Sequence, residues 1–105
     1  MDAFRVHLEG PSHLRLEGEL DLLAAGELEK VLLPMCAQPR ANVVLDLAGV
    51  DFMDSTGVAL LLRAHREATR AEGHLTILGV TRYVSRVLHA TGVDELLDHT
   101  EVEPG

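Results

Sequence analysis

The chain has 105 residues, 47% of them apolar, and a formal charge of −8 at pH 7. That length suits one domain with a single modest core, and the negative charge speaks against nucleic acid and against an anionic membrane surface. Aromatic residues are confined to Phe4, Phe52 and Tyr83, so the core is expected to be aliphatic.

Cys36 is the single cysteine, so no internal disulfide forms, which fits a reducing cytosol and a cytoplasmic location. No apolar run approaches the ~20 residues of a membrane span. The N-terminus, with Asp2 and Glu9, lacks a signal-peptide core. A single domain over 1–105 is expected, without repeat or linker.

Residues 4–8 alternate, with Phe4, Val6 and Leu8 on one face and Arg5 and His7 on the other. Residues 13–17 repeat the pattern, Leu14 and Leu16 against Arg15 and Glu17, with Gly10-Pro11-Ser12 between. This predicts an antiparallel hairpin with one apolar face. Gly18-Glu19-Leu20-Asp21 ends the second strand, and Asp21 is a good N-cap for a first helix. Leu28, Val31, Leu32 and Met35 form that helix's buried stripe. Pro34 lacks the N–H that bonds back one turn, so the helix is expected to end or kink near Leu33.

Val43 to Leu47 is nearly continuously apolar, as in a central strand, with Asp46 breaking the run. A loop then leads to Asp54-Ser55-Thr56-Gly57, which opens a second helix from about Thr56 to Glu72. Gly73 supplies its stop. Val58, Leu61, Leu62 and Ala68 form its buried stripe, with His65 at the margin. Arg63, Arg66, Glu67 and Arg70 face solvent. His74 to Val80 predicts another strand, with Leu75 and Ile77 opposite Thr76. Thr81 caps a third helix with the stripe Val84, Val87, Leu88 and Thr91, ended by Gly92. Val93 to Leu97 reads as a last turn, and Asp98 to Val102 as a short edge strand.

The order ββαβαβα, with room for a final strand, predicts an α/β fold. Right-handed crossovers lay the strands side by side in chain order, with the helices mainly on one face. The sheet is then mixed and four- to five-stranded, its first strand antiparallel and the rest parallel. Arg5, His7, Arg15, Glu17, Asp46 and Thr76 fall on the uncovered face.

In such sheets function collects beyond the carboxyl ends of the strands. Gly18 to Asp21, Asp54 to Gly57 and Gly79 to Thr81 meet there, which should bring Asp21 close to Ser55. Ser55 is then either a helix cap, worth ~1 kcal/mol over Ala, or a working hydroxyl. Spacing alone favours the cap. Yet Asp54 could cap as well, which makes one polar residue surplus. Gly57 costs roughly 1 kcal/mol against Ala in a helix, and is easier to explain if another backbone approaches closely.

Enzyme readings lack their partners. Ser55 has no Gly-x-Ser-x-Gly elbow and no histidine placed to activate it. The phosphate-binding Gly-x-x-x-x-Gly-Lys loop is absent, Lys30 being the only lysine. The six histidines are scattered without ligand spacing, so surface histidines are expected, and no metal. Cys36 reads as plain core. No catalytic residue and no cofactor are expected.

Gly18-Glu19-Leu20-Asp21, then Val44-Leu45-Asp46-Leu47, then Val50-Asp51-Phe52-Met53-Asp54-Ser55-Thr56-Gly57 closely resemble the STAS domain, in particular bacterial anti-anti-sigma factors. The similarity covers nearly the whole chain, and its most specific part is the Asp-Ser-Thr-Gly tetrapeptide. It implies a partner switch. An anti-sigma factor that is also a serine kinase, using its own ATP, phosphorylates the first serine of the tetrapeptide, Ser55 here. The unmodified form binds that factor and releases the sigma factor; a PP2C-type phosphatase resets the modified form. The resemblance places Glu19, Asp21, Asp54, Ser55, Thr56 and Gly57 on the partner surface of a monomer or weak dimer. The other role found among STAS domains is a scaffold subunit, in a stressosome or a lipid- or anion-transport complex, without a phospho-switch.

Overall fold

A computed structural model describes residues 3–93 and the backbone of 98–101. The elements are β1 (Arg5–Gly10), β2 (His13–Leu20), α1 (Leu22–Cys36), β3 (Asn42–Met53), α2 (Ser55–Arg70), β4 (His74–Val80), α3 (Arg82–Ala90) and β5 (Asp98–Glu101). The strands lie in chain order, β1-β2-β3-β4-β5. β1 and β2 are antiparallel, and the remaining neighbours are parallel. The expected mixed sheet is therefore present, with β5 as its last strand. Asp94 to Leu97 and Val102 lie outside the described residues.

One face of the sheet carries Leu14, Leu16, Val43, Leu45, Leu47, Leu75 and Ile77, all buried. Leu28 and Leu32 of α1, Leu60, Leu61 and Ala64 of α2, and Val84 and Leu88 of α3 complete an aliphatic core. The other face is polar and partly exposed. On it Arg15 bonds both Glu9 and Glu17, and His7 lies 3.4 Å from Glu17.

β3 is longer than its apolar run. It continues without a loop to Met53, because β2 also continues to Leu20 and offers backbone partners throughout. Two irregularities, between Arg15 and Glu17 and between Gly18 and Glu19 on β2, each place one extra residue on β3. The buried positions are consequently Leu45, Leu47, Val50 and Met53, spaced two, three and three apart. That broken alternation hides the strand from a period-two reading.

α1 passes through Pro34 and ends at Cys36, where Ala37 N–H closes on the Leu33 carbonyl at 3.0 Å. Lys30 and Pro34 share the exposed side of the helix, so water can serve the carbonyl that proline leaves unpaired. The buried stripe is Ala24, Ala25, Leu28, Leu32 and Cys36; Val31 is exposed and Met35 half-buried.

α2 begins one residue early, at Ser55, and stops at Arg70. Its left-handed residue is Glu72, with φ 63°, where Gly73 was expected. Glu72 N–H bonds Thr69 O at 3.0 Å and Gly73 N–H bonds Ala68 O at 2.8 Å, the Schellman pairing. Gly73 answers a different demand: a Cβ there would sit 2.2 Å from the Ala41 carbonyl oxygen. In α3 the expectation held better, with Gly92 at φ 75°. Thr91, however, is exposed and turns its hydroxyl back onto the Val87 carbonyl at 2.9 Å.

Leu8 keeps to its expected face, opposite Leu14, but is 67% exposed. It lies on the edge strand beside a register shift between Leu8 and Gly10, where no helix covers it.

Candidate functional site

The carboxyl ends of β2 and β3 are joined in register, Leu20 opposite Met53, and Asp54 N–H reaches the Leu20 carbonyl at 3.4 Å. Asp21 and Asp54 therefore follow neighbouring strand ends, and each turns its carboxylate onto its own helix. Asp21 Oδ1 accepts from Ala24 N–H at 3.0 Å and caps α1. Asp54 Oδ1 accepts from Thr56 N–H at 3.0 Å and Gly57 N–H at 3.3 Å, and the Thr56 hydroxyl donates to the same oxygen. That hydroxyl, followed by the backbone N–H groups, holds the Asp54 carboxyl below the usual carboxylate range. Thr81 completes the set, accepting from Val84 N–H at 3.2 Å and donating to the Val50 carbonyl at 3.4 Å.

Ser55 is consequently not the cap. It is the first residue of α2, exposed, and its hydroxyl has no hydrogen-bond partner among the described residues. The cap reading of Ser55, which spacing alone favours, is corrected here. Asp54 reaches two N–H groups of the first turn from the flanking extended conformation, which leaves the next side chain pointing free. Asp21 neighbours this junction through the backbone; its side chain is committed to α1.

Gly57 is buried. A Cβ on it would come 2.8 Å from Met53 Cγ and 3.0 Å from both Leu20 Cγ and Leu20 O. It acts through placement, letting the first turn of α2 press onto both strand ends. Glu19 and Asp51 stand exposed alongside.

Next to the first turn of α2, α1 and α2 enclose a groove of about 300 Å3 with Leu22, Ala25, Gly26, Thr56 and Ala59 on its walls. An ion pair between Arg63 and Glu29 flanks it. Leu22 and Leu23 are 68% and 79% exposed. Beyond β3, Phe52 stacks on Tyr83 with ring centres 6.0 Å apart and planes 22° apart, both rings partly open to solvent. These four apolar residues were not singled out by sequence reasoning. A signal did exist for two of them, since adjacent leucines directly after an N-cap cannot both lie on one buried stripe.

Among the described residues no group of three or more His, Cys, Asp or Glu is arranged to hold a metal ion. No helix there is long and apolar enough to cross a membrane. The site is a surface: one free hydroxyl, a helix N-terminus, several carboxylates and exposed apolar side chains.

Residues 5–98 match the family described as Mlab, STAS domain. An anti-sigma-B factor antagonist of Staphylococcus epidermidis is 37% identical over 93 residues, 86% of each chain. Among solved structures, an anti-sigma factor antagonist from Mycobacterium paratuberculosis superposes with a TM-score of 0.78 at 23% identity, covering 95% of this chain and 86% of that one. The unphosphorylated anti-sigma factor antagonist SpoIIAA gives 0.68 at 18% identity over 96% and 90%. The phosphorylated SpoIIAA of Bacillus gives 0.68 at 22% over 93% and 91%. The chain belongs to the STAS domain family.

Proposed function

We propose that this protein is an anti-sigma factor antagonist that works by binding and is switched by phosphorylation of Ser55. The observation that carries the reading is the free, exposed Ser55 hydroxyl at the start of α2, next to Thr56, which lines an apolar groove. Its relatives' names and the fold likeness to SpoIIAA in both forms support it.

In the unmodified state the apolar side chains Leu22, Leu23, Phe52 and Tyr83 supply docking area for the anti-sigma factor, and Glu19, Asp21 and Asp54 supply negative charge around it. Binding occupies that factor, and the sigma factor is released in the cytoplasm. The partner, a serine kinase, transfers the γ-phosphoryl group of its ATP to Ser55 Oγ. The P–O bond to ADP breaks, a P–O bond to Oγ forms, and the hydroxyl proton passes to a base on the partner.

Phosphoserine adds about −1.5 to −2 charges at pH 7. At the first helical position the dipole and the remaining N–H groups tolerate that charge. Asp21, Asp51 and Asp54 make the same surface still more negative, so docking is opposed by repulsion and bulk while α2 stays folded. A PP2C-type phosphatase reverses the step.

The test is capture of the cognate anti-sigma factor by wild type, Ser55→Ala and Ser55→Asp, with phosphate mapped by mass spectrometry after incubation with that factor and ATP. Phosphate on Ser55, retention by Ser55→Ala and loss by Ser55→Asp are expected. Equal capture by all three, with no phosphate on Ser55, would overturn the switch in favour of a scaffold role.

A further inference from the structure

The outer edge of β1 carries two charged groups and one exposed apolar one. Arg5 is exposed and has no ion-pair partner among the described residues. Leu8 is 67% exposed on the helix-side face of the strand. Glu9 is exposed and pairs with Arg15 through Oε1. On its inner side β1 pairs with β2; among the described residues no strand pairs with its outer side.

The sequence from Arg5 to Glu9 is self-complementary when it is laid antiparallel against itself about His7. Arg5 then faces Glu9 of the partner subunit, and Val6 faces the partner's Leu8. His7 faces its own copy. Directly opposed residues of an antiparallel pair lie within side-chain contact, and opposite charges there are favourable. Arg5 and Glu9 share the open face, since Glu9 bonds Arg15 there. Val6 and Leu8 share the helix side, where Val6 packs partly against the core and Leu8 is open to solvent. We propose that β1 is a homodimer interface that joins two copies edge to edge into one continuous ten-stranded sheet. The contact is narrow, so the dimer is weak and concentration-dependent. Ser55 lies two strands away from this edge, so each dimer presents two switch sites, and the inference does not depend on phosphorylation.

Sedimentation velocity of the full chain, from micromolar to sub-millimolar concentration, tests this. Wild type is expected to pass from monomer to dimer. Arg5→Glu places like charges opposite each other and should weaken the dimer by at least about tenfold. Arg5→Glu combined with Glu9→Arg should restore it. Amide exchange in wild type adds a readout independent of the variants: protection of residues 5–9 should rise with concentration while that of β3 stays constant. A monomer throughout, a dimer indifferent to Arg5→Glu, a swap that fails to restore it, or concentration-independent exchange in β1 would overturn the proposal.

Discussion

Asp54 takes the hydroxyl of Thr56 on the same carboxylate oxygen that caps α2, and Ser55 between them keeps its hydroxyl free. Two adjacent hydroxylated residues are thereby given opposite fates by one carboxylate. The aspartate holds the helix start together, and the serine is left exposed.

Asp54→Ala should therefore destabilise the fold by about 1 kcal/mol, the usual cost of a lost N-cap. The bonds to Asp54 favour its charged form and lower its pKa in the folded state. Their contribution is complete above the unfolded carboxylate pKa and fades as pH falls through the folded value. Asp54→Asn should accordingly lose less stability than wild type between pH 6 and pH 3. Thermal melts across that range read the difference.

Gly57→Ala offers a second test, because two effects oppose each other. Alanine favours a helix by about 1 kcal/mol. The new methyl would sit 2.8 Å from Met53 Cγ and 3.0 Å from the Leu20 carbonyl oxygen. Overpacking of this kind costs about 1–3 kcal/mol, and the backbone oxygen cannot swing aside. Net destabilisation in urea titration is expected, together with weaker capture of the anti-sigma factor as α2 lifts from the strand ends.

The end of α2 separates two neighbouring residues cleanly. Glu72→Gly should stabilise the protein by roughly 0.5–1 kcal/mol, since it relieves a left-handed non-glycine residue. Gly73→Ala should destabilise it by several times that amount, because its Cβ would overlap the Ala41 carbonyl at 2.2 Å. Denaturation midpoints of the pair would show opposite signs.

Leu22→Ala and Leu23→Ala should leave stability within about 0.5 kcal/mol, as exposed positions do. As members of the proposed docking surface, each should weaken anti-sigma factor binding by roughly tenfold, and calorimetric titration measures it. Tyr83 is the sole tyrosine in a chain without tryptophan, so its fluorescence reports on the same surface.

Cys36 is buried, and burial pushes its thiol up to about 11, with Glu67 adding to the shift. The thiolate is the reactive form. Alkylation by iodoacetamide at pH 8 should be slow in the native protein and fast once denaturant opens the core.

Much of this molecule was legible because its signals are local. The helix caps Asp21 and Thr81, the strand His74 to Val80 and the strand order followed from residue type, period and crossover handedness. Each depends on the nearest few side chains. The site's general location followed too, since parallel strands end together. What the sequence could not decide was which of several suitable residues takes a role. Asp54 and Ser55 are both good caps, and the extended approach of β3 settled it for Asp54. Gly73 looked like a left-handed stop, yet the adjacent Ala41 backbone is what requires a glycine there. Pro34 looked like an ending, yet an exposed Lys30 carbonyl makes it tolerable. β3 ran on past its apolar stretch because β2 was alongside to pair with it. For Gly73 and β3 the deciding atoms, the Ala41 backbone and β2, lie far off in the chain, and only folding brings them into contact.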